Sequence, residues 1–92
     1  MPVGIVWAPL AILRLQLIRS YVAQDKPEAA EQLGMRIVAI VETLRNHPRL
    51  GRAGAHPGLR ELVVGGTPYI VSYELERDRV VITTIWHGAQ RR

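Results

Sequence analysis

Apolar positions along this chain follow two rhythms, and the change between them divides it into halves. From Leu10 to Leu44 they recur every three or four residues; from Leu59 onward they alternate. The first rhythm belongs to helices with one face on a core, the second to strands in a sheet. Ala11, Leu15, Ile18 and Val22 mark one face of a helix over Leu10 to Ala23, with Pro9 tolerated at its start. Leu10, Ile12, Leu13 and Leu17 are apolar too. A helix greasy on more than one face is either enclosed in a core or waiting for a partner, and so short a chain has little core to enclose it. Asp25-Lys26-Pro27-Glu28 has the form of a capping box with proline in the first turn. A second helix is therefore expected through Ala30, Leu33, Ile37, Ile40, Val41 and Leu44, stopping before Pro48. The short link makes the two helices antiparallel. Gly34 costs the second about 1 kcal/mol relative to Ala, and gives the first room for close approach.

Val3 to Trp7 is a short β-branched and apolar run, read as an edge strand. Pro48 to Gly58 is rich in Gly and Pro and reads as an exposed basic loop carrying Arg49, Arg52 and His56. Beyond it come three strands. Leu62 and Val64 share one face of the first, with Glu61 and Val63 on the other. Tyr69, Val71, Tyr73 and Leu75 alternate with Ile70, Ser72 and Glu74 in the second. Gly65-Gly66 permits the first reversal, and Glu76-Arg77-Asp78-Arg79 forms the second. Val80 to Trp86 is almost wholly apolar or β-branched, which places it centrally beneath the helices. The expected fold is α+β: a short N-terminal strand, then an antiparallel helical hairpin packed on a C-terminal three-stranded antiparallel meander.

Composition narrows what such a fold can do. At 92 residues the chain is expected to be one domain of modest stability, which a partner covering apolar surface would increase. It has no cysteine, so no disulfide and no thiolate metal site, which suits a reducing cytoplasm. No apolar run approaches a membrane span, and the start does not read as an export signal. Eleven Arg and one Lys against eight acids leave a net charge of +4, which favours an acidic partner, nucleic acid or protein. His47 and His56 lack metal-ligand spacing, and no phosphate-loop motif is present, so neither a metal nor a cofactor is expected.

The runs Tyr21 to Ala30, His47 to Arg52, Gly58 to Leu62, Pro68 to Tyr73 and Ile85 to Ala89, in that order along nearly the whole chain, resemble the ParE branch of the RelE/ParE superfamily. These are the toxins of type II toxin-antitoxin, or plasmid stabilisation, modules. The resemblance implies a small basic toxin neutralised by a cognate ParD-like antitoxin that wraps over its helices and sheet, with no small-molecule substrate. For the ParE branch it implies inhibition of DNA gyrase without turnover chemistry. For RelE-type members it implies ribosome-dependent mRNA cleavage, in which cationic groups offset developing phosphate charge and an acid and a base move protons. Those relatives carry Arg where this chain has Ile70 and Lys where it has Glu61 and Val63, and often add a catalytic Tyr or a further basic residue at the C-terminal end; here the tail Gly88-Ala89-Gln90-Arg91-Arg92 has no Tyr. A degenerate member that binds antitoxin without toxicity is a third reading.

Candidate residues follow from these readings. If the chain is a ribonuclease, Arg60, Glu61, Tyr73 and His87 are the catalytic candidates; if it is a gyrase inhibitor, no residue is catalytic. Arg49, Arg52, Arg60, Arg91 and Arg92 are candidates for target binding, and Leu10, Leu13 and Leu17 for antitoxin binding. Each has a plainer role open to it: a cross-strand ion pair for Arg60, core packing for Tyr69, Tyr73 and Trp86, a structural hydrogen bond for His87, and solvation for the remaining arginines.

Overall fold

The computed structural model describes residues 2–90. Strand β1 (Gly4–Trp7) leads into α1 (Pro9–Ala23) and α2 (Pro27–Glu42), whose last turn tightens to a 3-10 helix over Thr43–Arg45. Strands β2 (Arg52–Ala53), β3 (Leu59–Val63), β4 (Tyr69–Leu75) and β5 (Arg79–His87) follow, with a 3-10 turn at Gly88–Gln90. They form one five-stranded sheet in the order β1-β5-β4-β3-β2. The expected α+β fold is present, with the meander enlarged at both edges. β1 is an edge strand, pairing in parallel with the first half of β5, Gly4 beside Arg79 and Trp7 beside Ile82. The loop read from Pro48 to Gly58 contains β2, which pairs antiparallel with β3. A two-residue strand is too short to show an alternation, so its formation depends on the neighbouring edge rather than on its own residues.

The capping box does not form. Lys26, extended at φ −140°, occupies the N-cap of α2, and no side chain caps it. Pro27 is the reason: at the first helical position it forces the preceding residue out of the helical region, which leaves Asp25 outside the helix. The N–H groups of Asp25 and Lys26 instead donate to Val22 O at 3.1 and 2.9 Å, finishing α1. At Gly34, on the buried side of α2, a Cβ would stand 2.9 Å from Cδ of Arg19, a flexible side chain of α1 that can move aside.

The core lies between the hairpin and one face of the sheet. Ala11, Ile37, Val41 and Leu44 come down from the helices; Leu62, Val64, Tyr69, Val71, Tyr73, Val80, Ile82 and Ile85 rise from the strands. β5 supplies core residues on both sides of a bulge. Ser72 stands opposite Thr84 while Tyr73 stands opposite Ile82, so Thr83 is an extra residue on β5, its hydroxyl donating to Ser72 O at 3.0 Å. The bulge shifts the phase by one residue. Val80 and Ile82 point inward before it and Ile85 after it, while Thr84 and Trp86 turn to the far face.

Tyr73 ties the 48–51 segment to this core. Fully buried, its hydroxyl accepts from Gly51 N–H at 2.8 Å and donates to Pro48 O at 2.8 Å. Gly51 lies so close that a Cβ there would meet the Tyr73 ring at 2.7 Å and Glu61 O at 2.8 Å. Replacing Tyr73 by Phe strands a buried N–H and should cost about 1–3 kcal/mol, seen as a lower urea midpoint at unchanged m-value. Desolvation holds the phenol pKa above its ordinary value. An unfolded tyrosine ionises near pH 10, by about that value, so above it the folded chain binds more protons than the unfolded one and stability falls as pH rises. The Phe variant should therefore lose less stability than the parent in alkali; equal losses would mean that the Tyr73 phenol does not contribute.

Candidate functional site

α1 carries two apolar faces, and the structure gives a neighbour to only one of them. Ala11, Leu15 and Ile18 pack on the core. Leu10, Leu13, Leu17 and Tyr21 form a second ridge at helical spacing, and they are 48, 49, 55 and 72% exposed. Three of the four were expected from the sequence. Tyr21 was not singled out, although its place four residues after Leu17 was the available signal.

The C-terminal half of this ridge borders a groove of about 430 Å³. Arg14, Leu17 and Tyr21 form its helical wall, and Tyr69, Ile85 and His87 its sheet wall. Tyr69 and His87 face each other across β4 and β5 and meet edge to face, with ring centroids 5.5 Å apart. Burial pushes the Tyr69 phenol pKa up. His87 Nδ1 accepts the Ala89 N–H at 3.1 Å, a structural bond that keeps Ala89 beside the groove. Arg14 stands over the Trp86 ring, its guanidinium carbon 5.9 Å from the centroid, within cation-π range. The groove combines an apolar wall with a cation and three aromatic rings, those of Tyr21, Tyr69 and His87. Such a surface suits the apolar face of a partner helix.

The sheet face turned away from the helices is mixed: Val63, Ile70 and Trp86 form an apolar row across β3, β4 and β5, beside a polar one. Arg52, Glu61, Ser72 and Thr84 stand in register across β2, β3, β4 and β5. Arg52 Nε lies 3.8 Å from Glu61 Oε1, and Trp86 Nε1 donates to Ser72 Oγ at 2.9 Å. Glu61, Ser72 and Thr84 are all buried, and Ile70 beside them is buried as well. Thr84 Oγ1 makes no hydrogen bond to another described residue. The only cation in this row is already beside a carboxylate.

The four ribonuclease candidates are not brought together. Arg60 and Tyr73 are cross-strand neighbours on the core side, whereas Glu61 points to the opposite face. Arg60 donates one amino group to Gly51 O at 2.7 Å and to Arg49 O at 3.3 Å, so it clamps the same segment that Tyr73 holds. His87 pairs with Tyr69, four residues of β4 from Tyr73, or about 13 Å along the strand. No acid and base among them share a substrate-sized space. Of the proposed target contacts, Arg49 and Arg52 are exposed, Arg60 is half-buried, and Arg91 and Arg92 lie outside the described residues. Among the described residues no cluster of three or more His, Asp or Glu side chains could hold a metal ion, and no helix is long and apolar enough to cross a membrane.

A helical hairpin on a mixed sheet, with an apolar ridge left open on α1, offers a surface on which another protein can dock. Residues 5–92 match the family described as the ParE toxin of the type II toxin-antitoxin system parDE, and the chain belongs to that family. It is 39% identical to the putative toxin Y4kP of Sinorhizobium fredii over 92% of this chain and 88% of that one. With the toxin RelE2 of Caulobacter vibrioides it shares 36% identity over 94% and 96% of the two chains. A solved structure titled as the chromosomal ParDE TA system from P. aeruginosa superposes with a TM-score of 0.82 at 25% identity, covering 92% of this chain and 95% of the other. The chain is thus the toxin of a type II toxin-antitoxin pair, and its partner is an antitoxin. Placing a carboxylate on the exposed ridge, as Leu13→Asp or Leu17→Asp, should weaken antitoxin binding about tenfold or more by calorimetry, with the thermal midpoint of the free toxin unchanged. Unaltered affinity would remove the ridge from the interface.

Proposed function

We propose that this toxin acts by binding and inhibiting DNA gyrase in the cytoplasm, without turning over a substrate, and that a ParD-like antitoxin silences it by covering the α1 ridge. The observation that carries this reading is the dispersal of the groups a nuclease would need. Tyr73 and Arg60 are committed to holding the 48–51 segment, Glu61 lies on the other face, and His87 stands at the far end of the sheet. General acid-base chemistry needs its groups within hydrogen-bond reach of one reacting centre. A steric or trapping inhibitor needs only a stable surface. Membership of the ParE family supports the same direction.

A RelE-like, ribosome-dependent mRNA endonuclease is the second reading. It draws on the relatives that bear the RelE name and on the Arg52, Glu61, Ser72 and Trp86 cluster, which would have to supply the chemistry from the far sheet face. Two assays run side by side separate them. Purified toxin should abolish negative supercoiling by gyrase and leave ribosome-bound mRNA intact, and its expression without antitoxin should produce filamentation and an SOS response. Cleaved mRNA with supercoiling untouched would replace the gyrase reading by the nuclease one. Normal growth on expression would identify a degenerate member that has kept only its antitoxin binding.

A further inference from the structure

At the end of the sheet away from Tyr69 and His87, three arginines that are far apart in sequence converge. Arg49 comes from the segment held by Tyr73, Arg60 from β3, and Arg77 from the turn between β4 and β5. They open on one groove of about 530 Å³, whose apolar side is made by Val3, Pro48 and Leu75. Six steps along β4 separate it from the α1 groove, about 20 Å.

The walls of this groove are anchored. Pro48 O accepts from Tyr73, Arg49 O from Arg60, and Arg45 O from the Val3 N–H at 2.9 Å. Leu75 N–H reaches Gly58 O at 3.3 Å, closing the far rim, where Gly58 adopts φ +83°. The one acid in the lining, Glu76, is engaged by Arg79 at 2.6 Å. The backbone that carries Arg49 is thereby fixed, and Arg60 is held by its own hydrogen bonds, so these two positions need little rearrangement to present charge to an anion.

We propose that this groove is a docking site for an acidic, partly apolar peptide segment of a protein partner, separate from the α1 ridge. Arginine forks match carboxylate oxygens two at a time, and Val3, Pro48 and Leu75 offer apolar side chains of the same segment a dry surface. A nucleic acid fits less well. Single strands are gripped by stacking bases on aromatic rings, and no aromatic residue lines the groove. A duplex is about 20 Å across, and a concave site of this volume admits one extended chain rather than two wound strands. The proposal does not depend on gyrase being the toxin's target.

The test uses the purified full chain and a fluorescein-labelled peptide of alternating Glu and Leu, with single-stranded and duplex oligonucleotides of equal charge as competing probes. Fluorescence anisotropy should show the peptide binding more tightly than either oligonucleotide. The double variant Arg49→Glu/Arg77→Glu should lose about tenfold or more of that affinity. Arg36→Glu, exposed on α2 beside the Gly66 turn at the other end of the sheet, should lose less than twofold. Arg49 and Arg77 are both exposed, so the fold should survive; Arg49→Gln/Arg77→Gln repeats the experiment without charge reversal should the first variant unfold. An equal loss in Arg36→Glu would reduce the effect to net charge and overturn the proposal. Tighter binding of an oligonucleotide, lost in the double variant, would overturn it in favour of a phosphate site, and absence of peptide binding would overturn it outright.

Discussion

A single phenol hydroxyl holds the irregular part of this protein to the regular part. Tyr73 sits in the middle of β4 with no exposed surface, and its hydroxyl serves one donor and one acceptor of the segment that joins the helices to the sheet. Buried backbone groups must be paired, and residues 48–51 have no strand or helix of their own to pair them. Arg60, the cross-strand neighbour of Tyr73, bonds two carbonyls of the same segment. Together they set the direction in which the chain enters β2, and so the pairing of Arg52 with Glu61 and the position of Arg49. Tyr73 and Arg60 thus both have structural roles: the buried Tyr73 hydroxyl has both hydrogen bonds filled, and one amino group of Arg60 is engaged while the residue still lines the groove beside Arg49.

The bulge at Thr83 has a comparable effect on the other half of the sheet. Without it, Ile82 and Ile85 could not both face the core, since strict alternation sends residues three apart to opposite sides. With it, Trp86 and Thr84 turn to the far face, where Trp86 bonds Ser72 and meets Arg14 from the edge of the sheet. The two surfaces of the toxin are divided by this one extra residue. An apolar ridge with its groove lies on the helix side, and a polar row with few free charges on the other.

Much of this was legible before any coordinates. The change from a period of three or four to a period of two marks the hairpin and the meander, and the surplus leucines of α1 announce a ridge without an internal neighbour; in the structure Leu10, Leu13 and Leu17 are all exposed. The motifs of the ParE branch, in order along the chain, point to the family to which it belongs. The failures are local and share a cause. Asp25 has the right spacing for a capping box, but Pro27 dictates the backbone before it. β2 has no pattern because two residues cannot carry one. Arg77 lies in the turn between β4 and β5, and nothing near it in the sequence points to Arg49 or Arg60.

What the sequence determined by itself is therefore everything that rests on repetition: which segments are helical, which alternate, which face of each is apolar, and the family to which their order belongs. Tertiary structure alone decided which charged and aromatic side chains stay free. Arg60 and Tyr73 were turned into clamps, Glu61 was separated from them by the pleat, His87 was carried to the other end of the sheet, and Arg49 and Arg77 were brought to one groove. Periodicity arises from the geometry of a single element, which the chain carries locally. Convergence depends on how elements pack and on which buried backbone groups must be satisfied, and neither exists until the whole fold has closed.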